Sequence, residues 1–453
     1  MTGISASHGS DSEPIPEKVI KPWKLPPQKT YVFKNCNIID PADGVVRPNA
    51  TVKLAGGTIQ SVRDRQSQSQ TSDEQDCSDE TDGTIVVDLA GRYLCPGLID
   101  CHVHLSSVPG EATLAGTMQS ASSDPAVSLV RQPFVCGQVL RRGFTTVRDC
   151  GGATLALKEA IADDVFPGPR LFIAGRALSQ TGGHGDTRSA HDRGPPSGSC
   201  CGAGGLAVVC DGVPDCTRAA REQLRTGADF IKVMVGGGVA SPTDALESTQ
   251  FTAAEVAAIV EVARGHGVAV TAHAYTPRAI RHAVDAGATG IEHGNLLDGA
   301  TAAHMAARGV RLTPTLVAYE AMAASSGGGF LPPESRRKND AVLTHGLRSL
   351  KIAAAAGVEM CYGSDLLGPL AAEQSCEFAI RRQVLSSLEV LRSATVNAAR
   401  LLGQEEFLGR VAEGFAADVL ILRENPLEDV GILADPESHV LAVIKNGRVY
   451  ESR

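Results

Sequence analysis

Aromatic residues, blocks of basic residues and long apolar runs are all scarce in this chain. Only 4% of its 453 residues are aromatic, so stacking platforms for bases are few. The 42 Lys and Arg residues are outnumbered by 51 Asp and Glu residues, and no basic block or basic–aromatic alternation occurs. These absences exclude a typical nucleic-acid-binding surface. No apolar run reaches the roughly 18 residues needed to cross a membrane, so we expect no membrane partner either.

The first residues, MTGISASHGSDSEPIPEK, lack the basic segment and apolar stretch of a signal peptide, which predicts a cytoplasmic protein. The 12 cysteines are too few for a disulfide scaffold in a chain of this length, and several lie in apolar runs as small hydrophobic residues. Four others cluster in one loop, where a second zinc site or a disulfide is an alternative, although no C-x-x-C pair occurs. They are Cys200, Cys201, Cys210 and Cys216.

Both ends of the chain carry short apolar stretches separated by turn residues, the pattern of antiparallel β-structure. These stretches lie in residues 30–95 and 409–453, and Asn446-Gly447 is a strong hairpin signal. Two such pieces can pair into one small composite β-sandwich domain. The sequence therefore predicts a second, smaller domain built from both ends.

Two segments near the N-terminus have little apolar surface to bury. Residues 1–29 are polar and rich in proline, which predicts a flexible arm. Residues 64–83 are acidic and of low complexity, which predicts a disordered loop.

The middle of the chain, residues 96–408, alternates strand-like and helix-like segments about eight times, the pattern of an α/β protein with a (β/α)8 TIM barrel. Several helical segments end in glycine, as helix C-termini commonly do. After the last strand, residues 386–403 predict one further amphipathic helix. We expect the strands to end near His104, Asp149, Gly175, Val235, His273, His293, Val317 and Asp365.

Six residues with metal-ligand chemistry follow these strand-like runs. His102 and His104 form an H-x-H pair that lies on one face of a strand. Alone, such a pair is more often structural than a metal site. The remaining four, each at another strand end, are Lys232, His273, His293 and Asp365. Active sites of TIM barrels lie at these ends, so the complete set predicts a metal centre rather than structural histidines and a buried ion pair.

The donor types favour two zinc ions. Imidazoles of His102 and His104, with the carboxylate of Asp365, suit one ion, and His273 and His293 suit a second. Asp365 is also placed to take a proton from the attacking water and pass it to a leaving amine.

The segments YLCPGLIDCHVHL, SQTGGHGD, IKVMVGGGV, AHAYTPRAIRHAVDAGATGIEHGN and YGSD resemble the metal-dependent amidohydrolase superfamily, which includes dihydroorotase, urease and imidazolonepropionase. Within it they are most similar to the Xaa-Pro and Xaa-Arg dipeptidases and the fungal ochratoxinase-like amidohydrolases. The resemblance covers residues 30–453 and implies a barrel beside the composite sandwich, in a homo-oligomer. It implies that Lys232 takes up CO2 as a carbamate that bridges both ions. It also implies that His184 and Tyr275 lie beside the scissile group and donate hydrogen bonds to the oxyanion.

The leading hypothesis is a binuclear zinc amidohydrolase that cleaves the amide bond of a small N-acyl amino acid or dipeptide, including an ochratoxin-like amide, and releases an L-amino acid. We expect the active site to bind the carboxylate of the amino-acid part of the substrate. Arg188 is a candidate partner for that carboxylate, and the alternative is that Arg188 is a solvated charge in its loop. One alternative keeps the barrel but hydrolyses a cyclic amide or lactone, deaminates or decarboxylates. Another is a non-catalytic assembly protein on a decayed barrel.

Overall fold

The computed structural model describes residues 16–64, 83–123, 125–195, 205–325 and 329–453. The strands are β1 (Tyr31–Asp40), β2 (Val45–Ala55), β3 (Thr58–Arg63), β4 (Ile85–Asp88), β5 (Tyr93–Pro96), β6 (Leu98–Val103), β7 (Phe144–Asp149), β8 (Arg170–Ile173), β9 (Ala177–Ser179), β10 (Ala207–Val209), β11 (Ile231–Met234), β12 (Val270–Ala274), β13 (Gly290–His293), β14 (Arg311–Thr313), β15 (Val419–Leu422), β16 (Val440–Lys445) and β17 (Arg448–Ser452). The α-helices are α1 (Glu17–Ile20), α2 (Leu114–Ser123), α3 (Pro125–Arg141), α4 (Leu155–Ala162), α5 (Gly212–Arg225), α6 (Ala253–Gly265), α7 (Pro277–Asp285), α8 (Gly299–Ala307), α9 (Leu316–Ala324), α10 (Pro333–Ala355), α11 (Cys376–Arg381), α12 (Ser387–Ser393), α13 (Val396–Leu401) and α14 (Pro436–His439). Short 3-10 helices span Gly368–Glu373 and Val430–Ala434.

Strands from both ends of the chain form one eight-stranded sheet in the order β17-β16-β15-β5-β1-β2-β3, with β4 also paired to β1. The predicted hairpin is confirmed: Asn446 and Gly447, with φ of 47° and 71°, connect β16 to β17. The expectation of purely antiparallel pairing is wrong for β4 and β5, which run parallel to β1. Parallel pairing requires a long connection, and the chain between β1 and β4 contains both β2 and β3.

The middle of the chain forms two parallel sheets, β6-β7-β8 and β10-β9-β11-β12-β13-β14. Their strands are apolar and mostly buried, as strands covered by helices on one face and packed on the other must be. Backbone hydrogen bonds join residues of the two sheets. The N–H of Asp229, just before β11, bonds to the carbonyl of Ile173 in β8 at 2.7 Å.

The predicted eighth strand is present only as an irregular segment around Met360, which makes one parallel bridge to Leu312 of β14. On its other side, the N–H of Cys101 in β6 donates to the carbonyl of Tyr362 at 2.8 Å. The segment therefore contacts an edge strand of each parallel sheet. Asp365, which follows this segment, lies near the carboxyl ends of the strands of both sheets.

Two predictions about the second half of the barrel region are wrong. The seventh strand ends at Thr313 rather than near Val317, because Pro314 has no N–H for a strand ladder and α9 begins at Leu316. Residues 386–403 form two helices, α12 and α13, instead of one. Thr395 separates them with φ −136° and ψ −97°, and its hydroxyl bonds to the carbonyl of Leu391 at 2.7 Å.

Several predictions fall wholly or partly outside the described residues: those for Cys200 and Cys201, most of the 64–83 loop, and the first part of the N-terminal arm. Residues 16–29 of that arm are described, and Lys21 pairs with Asp163 at 2.7 Å. Cys210 and Cys216 are free, buried thiols. Among the described helices, none combines the length and apolarity that a membrane span requires.

Candidate active site

The six predicted ligands come together at the carboxyl ends of the parallel strands. Nε2 of His102 and Nε2 of His104 lie 3.2 and 3.1 Å from Oδ1 of Asp365. The ring of His293 lies 5.0 Å from that of His102 and 4.5 Å from that of His273. Lys232, only 1% exposed, is close enough to affect the charge of both His273 and His293. The tertiary structure thus gathers residues that span more than half of the chain.

Each of the four imidazoles uses one ring nitrogen in a hydrogen bond to the protein, which leaves the other nitrogen for a ligand. These bonds are His102 Nδ1 to Glu292 Oε2 (2.8 Å), His104 Nδ1 to the Gly151 carbonyl (2.8 Å), His293 Nδ1 to Thr315 Oγ1 (2.8 Å) and His273 Nε2 to the Gly237 carbonyl (3.2 Å). A carboxylate or carbonyl oxygen can only accept, so these bonds assign three tautomers: His102 and His104 offer Nε2, and His273 offers Nδ1. At His293 the contact with the Thr315 hydroxyl likewise leaves Nε2 free.

These residues fit a divalent metal. The ligand atoms of His102, His104 and Asp365 all lie within 4.8 Å of one another. Ligands about 2.0–2.2 Å from a tetrahedral zinc are about 3.4 Å apart, close to the distances found.

Nζ of Lys232 makes no hydrogen bond or ion pair with any described residue. A buried polar group without a hydrogen-bond partner is costly, so the position suits a lysine whose amine is modified.

Burial and neighbouring charges set the protonation of the cluster. Desolvation opposes charge on Asp365, but the surrounding histidines, His102 foremost, hold the pKa of its carboxyl well below its usual value. Burial holds the pKa of His273 and of His293 well below the usual value for histidine. Burial is the largest single influence on His104 and opposes its charge, but the hydrogen bond to Asp365 and the nearby charges of Asp365 and Asp149 together raise the His104 pKa. His273 and His293 are therefore neutral, the form that binds metals.

His293 and Asp365 both adopt left-handed backbone conformations, with φ of 74° and 52°. For residues other than glycine this geometry costs roughly 1–2 kcal/mol. At His293 it interrupts the side-chain alternation of β13, because Glu292 and His293 both reach the metal-ligand cluster. Backbone strain is thus concentrated at two of the predicted ligands.

Four residues that support the ligands carried no motif and were missed in the sequence: Arg148, Glu292, Thr315 and Tyr319. Glu292 is fully buried, accepts from Arg148 at 2.6 Å and is also bonded to the Thr271 hydroxyl. Desolvation opposes its charge, but Arg148, Lys232 and His102 together hold its pKa well below the usual range. The sequence did contain one indication of this role, because Glu292 is a carboxylate within an otherwise apolar strand.

His184 lies in the loop between β9 and β10, and its ring stacks on His273 with centroids 4.2 Å apart. Its Nδ1 is 2.9 Å from Oγ of Ser241, whose own hydroxyl proton is donated to Asp244. His184 must therefore donate through Nδ1, and in its neutral form Nε2 is an acceptor. Burial lowers the His184 pKa, which favours this neutral form. A Cβ on Gly238 would lie 2.0 Å from the ring, so only glycine allows this close approach.

Tyr275 is 2% exposed and its ring lies 4.9 Å from that of His273. Its hydroxyl oxygen accepts a hydrogen bond from Tyr319 at 2.9 Å. Burial raises the pKa of Tyr275 above its usual value, so the phenol keeps its proton. Tyr275 can therefore donate a hydrogen bond without any change of charge.

A cavity of about 560 Å³ opens onto the ligand cluster and is lined by His104, His184, Tyr275 and Asp365. Its remaining wall is largely apolar and includes Leu114, Met118, Met234, Met322, Phe330 and Leu370. None of the described lining residues is Lys or Arg.

Arg188, the candidate partner for a substrate carboxylate, does not line this cavity. Its guanidinium binds both carboxylate oxygens of Asp186, at 2.9 and 2.6 Å, and the carbonyl of Gly194 at 2.8 Å. Its hydrogen-bonding capacity is thus largely used within its own loop.

The chain belongs to the amidohydrolase family, whose model matches residues 93–450. It is therefore a hydrolase that acts on amide bonds, with the α/β content and parallel sheets of that superfamily of TIM barrels. It is 35% identical over 374 residues to the ochratoxinase of Aspergillus niger, covering 79% of this chain and 75% of that one. A crystal structure of a prolidase complexed with N-methylphosphonate-L-proline is 40% identical, with a TM-score of 0.87, and covers 94% of this chain and 100% of that one. An imidazolonepropionase of Vibrio cholerae is 26% identical over 405 residues, 81% of this chain and 88% of that one. The resemblance predicted from the sequence is confirmed.

Proposed function

We propose that this protein is a binuclear zinc amidohydrolase that cleaves the amide bond of a small N-acyl amino acid or dipeptide and releases the free L-amino acid. The observation that carries the proposal is the cluster of His102, His104 and Asp365 at the base of an apolar cavity that also contains His184 and Tyr275. The ochratoxinase and prolidase similarities support an acyl amino acid or dipeptide as substrate.

We further propose that residues 96–408 close into a (β/α)8 barrel and that residues 30–95 and 409–453 form a separate, composite β-sandwich domain. The hydrogen bonds between Asp229 and Ile173 and between Cys101 and Tyr362 support closure, because they connect the two parallel sheets on opposite sides. The sheet shared by both chain ends supports the second domain.

In this proposal His102, His104 and Asp365 would hold one ion, and His273 and His293 would hold the other. Lys232, as a carbamate formed with CO2, would supply oxygen ligands to both, and the burial of its amine without a hydrogen-bond partner supports that role. Two such ions, when bound, activate a water molecule and polarise the amide carbonyl.

The protein side chains move the proton and orient the substrate. Asp365 accepts the proton of the attacking water and delivers it to the leaving nitrogen, because an amine leaves poorly without one. Tyr275 donates a hydrogen bond to the carbonyl oxygen as negative charge develops there and keeps its proton. The bond to Ser241 leaves neutral His184 an acceptor at Nε2, so we assign it an N–H or O–H group of the substrate rather than the oxyanion.

A hydrolysis screen tests this function. The zinc-loaded enzyme is offered N-acyl derivatives of aromatic and aliphatic amino acids, an ochratoxin-like amide, Xaa-Pro dipeptides and cyclic amides, with free amino acid measured by mass spectrometry. We expect the wild type to hydrolyse one or more of the acyclic amides. The Asp365→Asn variant should hydrolyse the same substrates only at a small residual rate. Turnover of cyclic amides alone would favour a cyclic-amide hydrolase. Release of ammonia or CO2 in place of an amino acid would favour a deaminase or a decarboxylase.

The homo-oligomer and the cytoplasmic location stay predictions. Light scattering coupled to gel filtration tests the first, because a monomer would elute with a mass near 47.1 kDa. Fractionation of the cells that produce the protein tests the second.

A further inference from the structure

Tyr319 makes a buried hydrogen-bond connection between Tyr275 and His293. It lies in the first turns of α9 and is 1% exposed. Its hydroxyl donates to the hydroxyl of Tyr275 at 2.9 Å and lies 3.0 Å from Nδ1 of His293. His293 keeps a second partner at that nitrogen, Oγ1 of Thr315 at 2.8 Å. Loss of the Tyr319 hydroxyl would therefore leave His293 with its Thr315 contact, whereas Tyr275 would lose the hydrogen bond that Tyr319 donates.

The proton of Tyr275 has a direction imposed by its neighbours. A phenol hydroxyl has one proton to donate and accepts through its oxygen lone pairs. The oxygen of Tyr275 accepts from Tyr319. Because Tyr319 already donates to this oxygen, the proton of Tyr275 is not used between the two tyrosines and is left to point into the cavity, which both rings line.

We propose that Tyr319 is a positioning residue for hydrolysis and acts through Tyr275: its hydroxyl holds the Tyr275 proton towards the substrate carbonyl. This inference rests on the proposed function, in which Tyr275 contacts the carbonyl oxygen. Without the hydroxyl of Tyr319, the Tyr275 hydroxyl can rotate, and part of its population no longer points at the developing charge. Preorganised donors of this kind contribute mainly to the transition state.

The test combines Tyr319→Phe, Tyr275→Phe and the double variant. Removing one oxyanion donor typically costs about 10²–10³ in kcat, so we expect that loss for Tyr275→Phe. For Tyr319→Phe we expect a smaller loss, about tenfold, with KM changed less than about twofold. The double variant should match Tyr275→Phe, because Tyr319 has nothing left to orient. Inhibition by a phosphonamidate analogue of the substrate should weaken in parallel with kcat/KM, while the bound metal per chain stays unchanged.

Tyr362→Phe is the matched control. Tyr362 is another fully buried tyrosine, and its hydroxyl donates to the carbonyl of Gln374 at 2.5 Å. Tyr362→Phe, like Tyr319→Phe, removes one buried hydrogen bond. The Tm of Tyr362→Phe should therefore fall by a similar amount, while its kcat stays normal.

Four results would overturn the inference, and a fifth would refute the function on which it rests. If Tyr319→Phe has a normal kcat while Tyr275→Phe has a reduced one, Tyr319 has no positioning role, but the proposed function still holds. Additive losses in the double variant, or loss of metal from Tyr319→Phe, show that Tyr319 acts through His293 instead. Normal kcat in Tyr275→Phe removes the proposed carbonyl contact and the positioning role together, whereas failure of the wild type to cleave any acyclic amide refutes the function itself.

Discussion

Glu292 accepts a hydrogen bond at 2.8 Å from Nδ1 of His102, although the two residues lie 190 positions apart in the chain. The carboxylate is kept ionised by Arg148, which lies 2.6 Å away. A carboxylate bound to one imidazole nitrogen fixes the tautomer and makes the other nitrogen a better metal ligand. Glu292 is therefore part of the proposed metal centre although it is not itself one of the ligands.

Replacing Glu292 by Gln should weaken metal binding by about 10- to 100-fold, because the amide preserves the shape but loses the charge that supports His102. Competition with a chelator at constant pH measures this affinity. Glu359→Gln is the control, since Glu359 pairs with Arg311 at 2.6 Å in a partly exposed ion pair away from the site. Equal metal affinities in the two variants would contradict the role of Glu292.

The wild-type protein should bind about two divalent ions per chain, and Lys232→Ala should retain no more than one. The variant should lose several orders of magnitude in kcat, because the ligand shared by the two ions is gone. Lys232→Arg should not restore activity, since a guanidinium forms no carbamate. Metal analysis by mass spectrometry checks the counts. Lys445→Ala is the control, because Lys445 is similarly buried but lies in the terminal sheet. Two ions and near-normal turnover in Lys232→Ala would disprove the bridge.

Asp365→Asn should lower kcat by roughly a hundredfold or more with a smaller effect on KM, because an amide oxygen can still contact a metal but cannot accept a proton. The pKa of Asp365 is held low, so the wild type should lose activity only as the pH falls into the acidic range, when the carboxylate is protonated. That acidic limb should disappear from the pH–kcat profile of the variant. If the limb persists, another group moves the proton.

A free substrate carboxylate should matter less than the sequence led us to expect. The described wall of the cavity contains no Lys or Arg. A hydrogen bond to a charged partner contributes about 1.5–3 kcal/mol, or roughly 10- to 150-fold. Without such a partner, kcat/KM for an N-acyl amino acid and for its carboxamide should agree within about tenfold, in the wild type and in Arg188→Ala. A larger preference for the acid that disappears in Arg188→Ala would show that Arg188 leaves Asp186 to bind substrate.

The sequence by itself determined the features that depend on local periodicity and turn chemistry. The H-x-H pair of His102 and His104 faces one way because side chains of a strand repeat every two residues. Asn446-Gly447 predicted its hairpin because both residues tolerate positive φ. Parallel strands bring their carboxyl ends to one edge, so six ligands at the ends of five of the eight strands could be expected to meet before any contact was known.

Only the tertiary structure decided which side chains support those ligands. The left-handed backbone of His293 brings Glu292 and His293 to the same cluster, contrary to strand alternation. Tyr319 reaches Tyr275 because the seventh strand ends early at Thr313 and a helix follows. The tautomer of His184 depends on Ser241 and Asp244, which come from another loop. Such contacts join residues far apart in the chain, and packing rather than local pattern selects them.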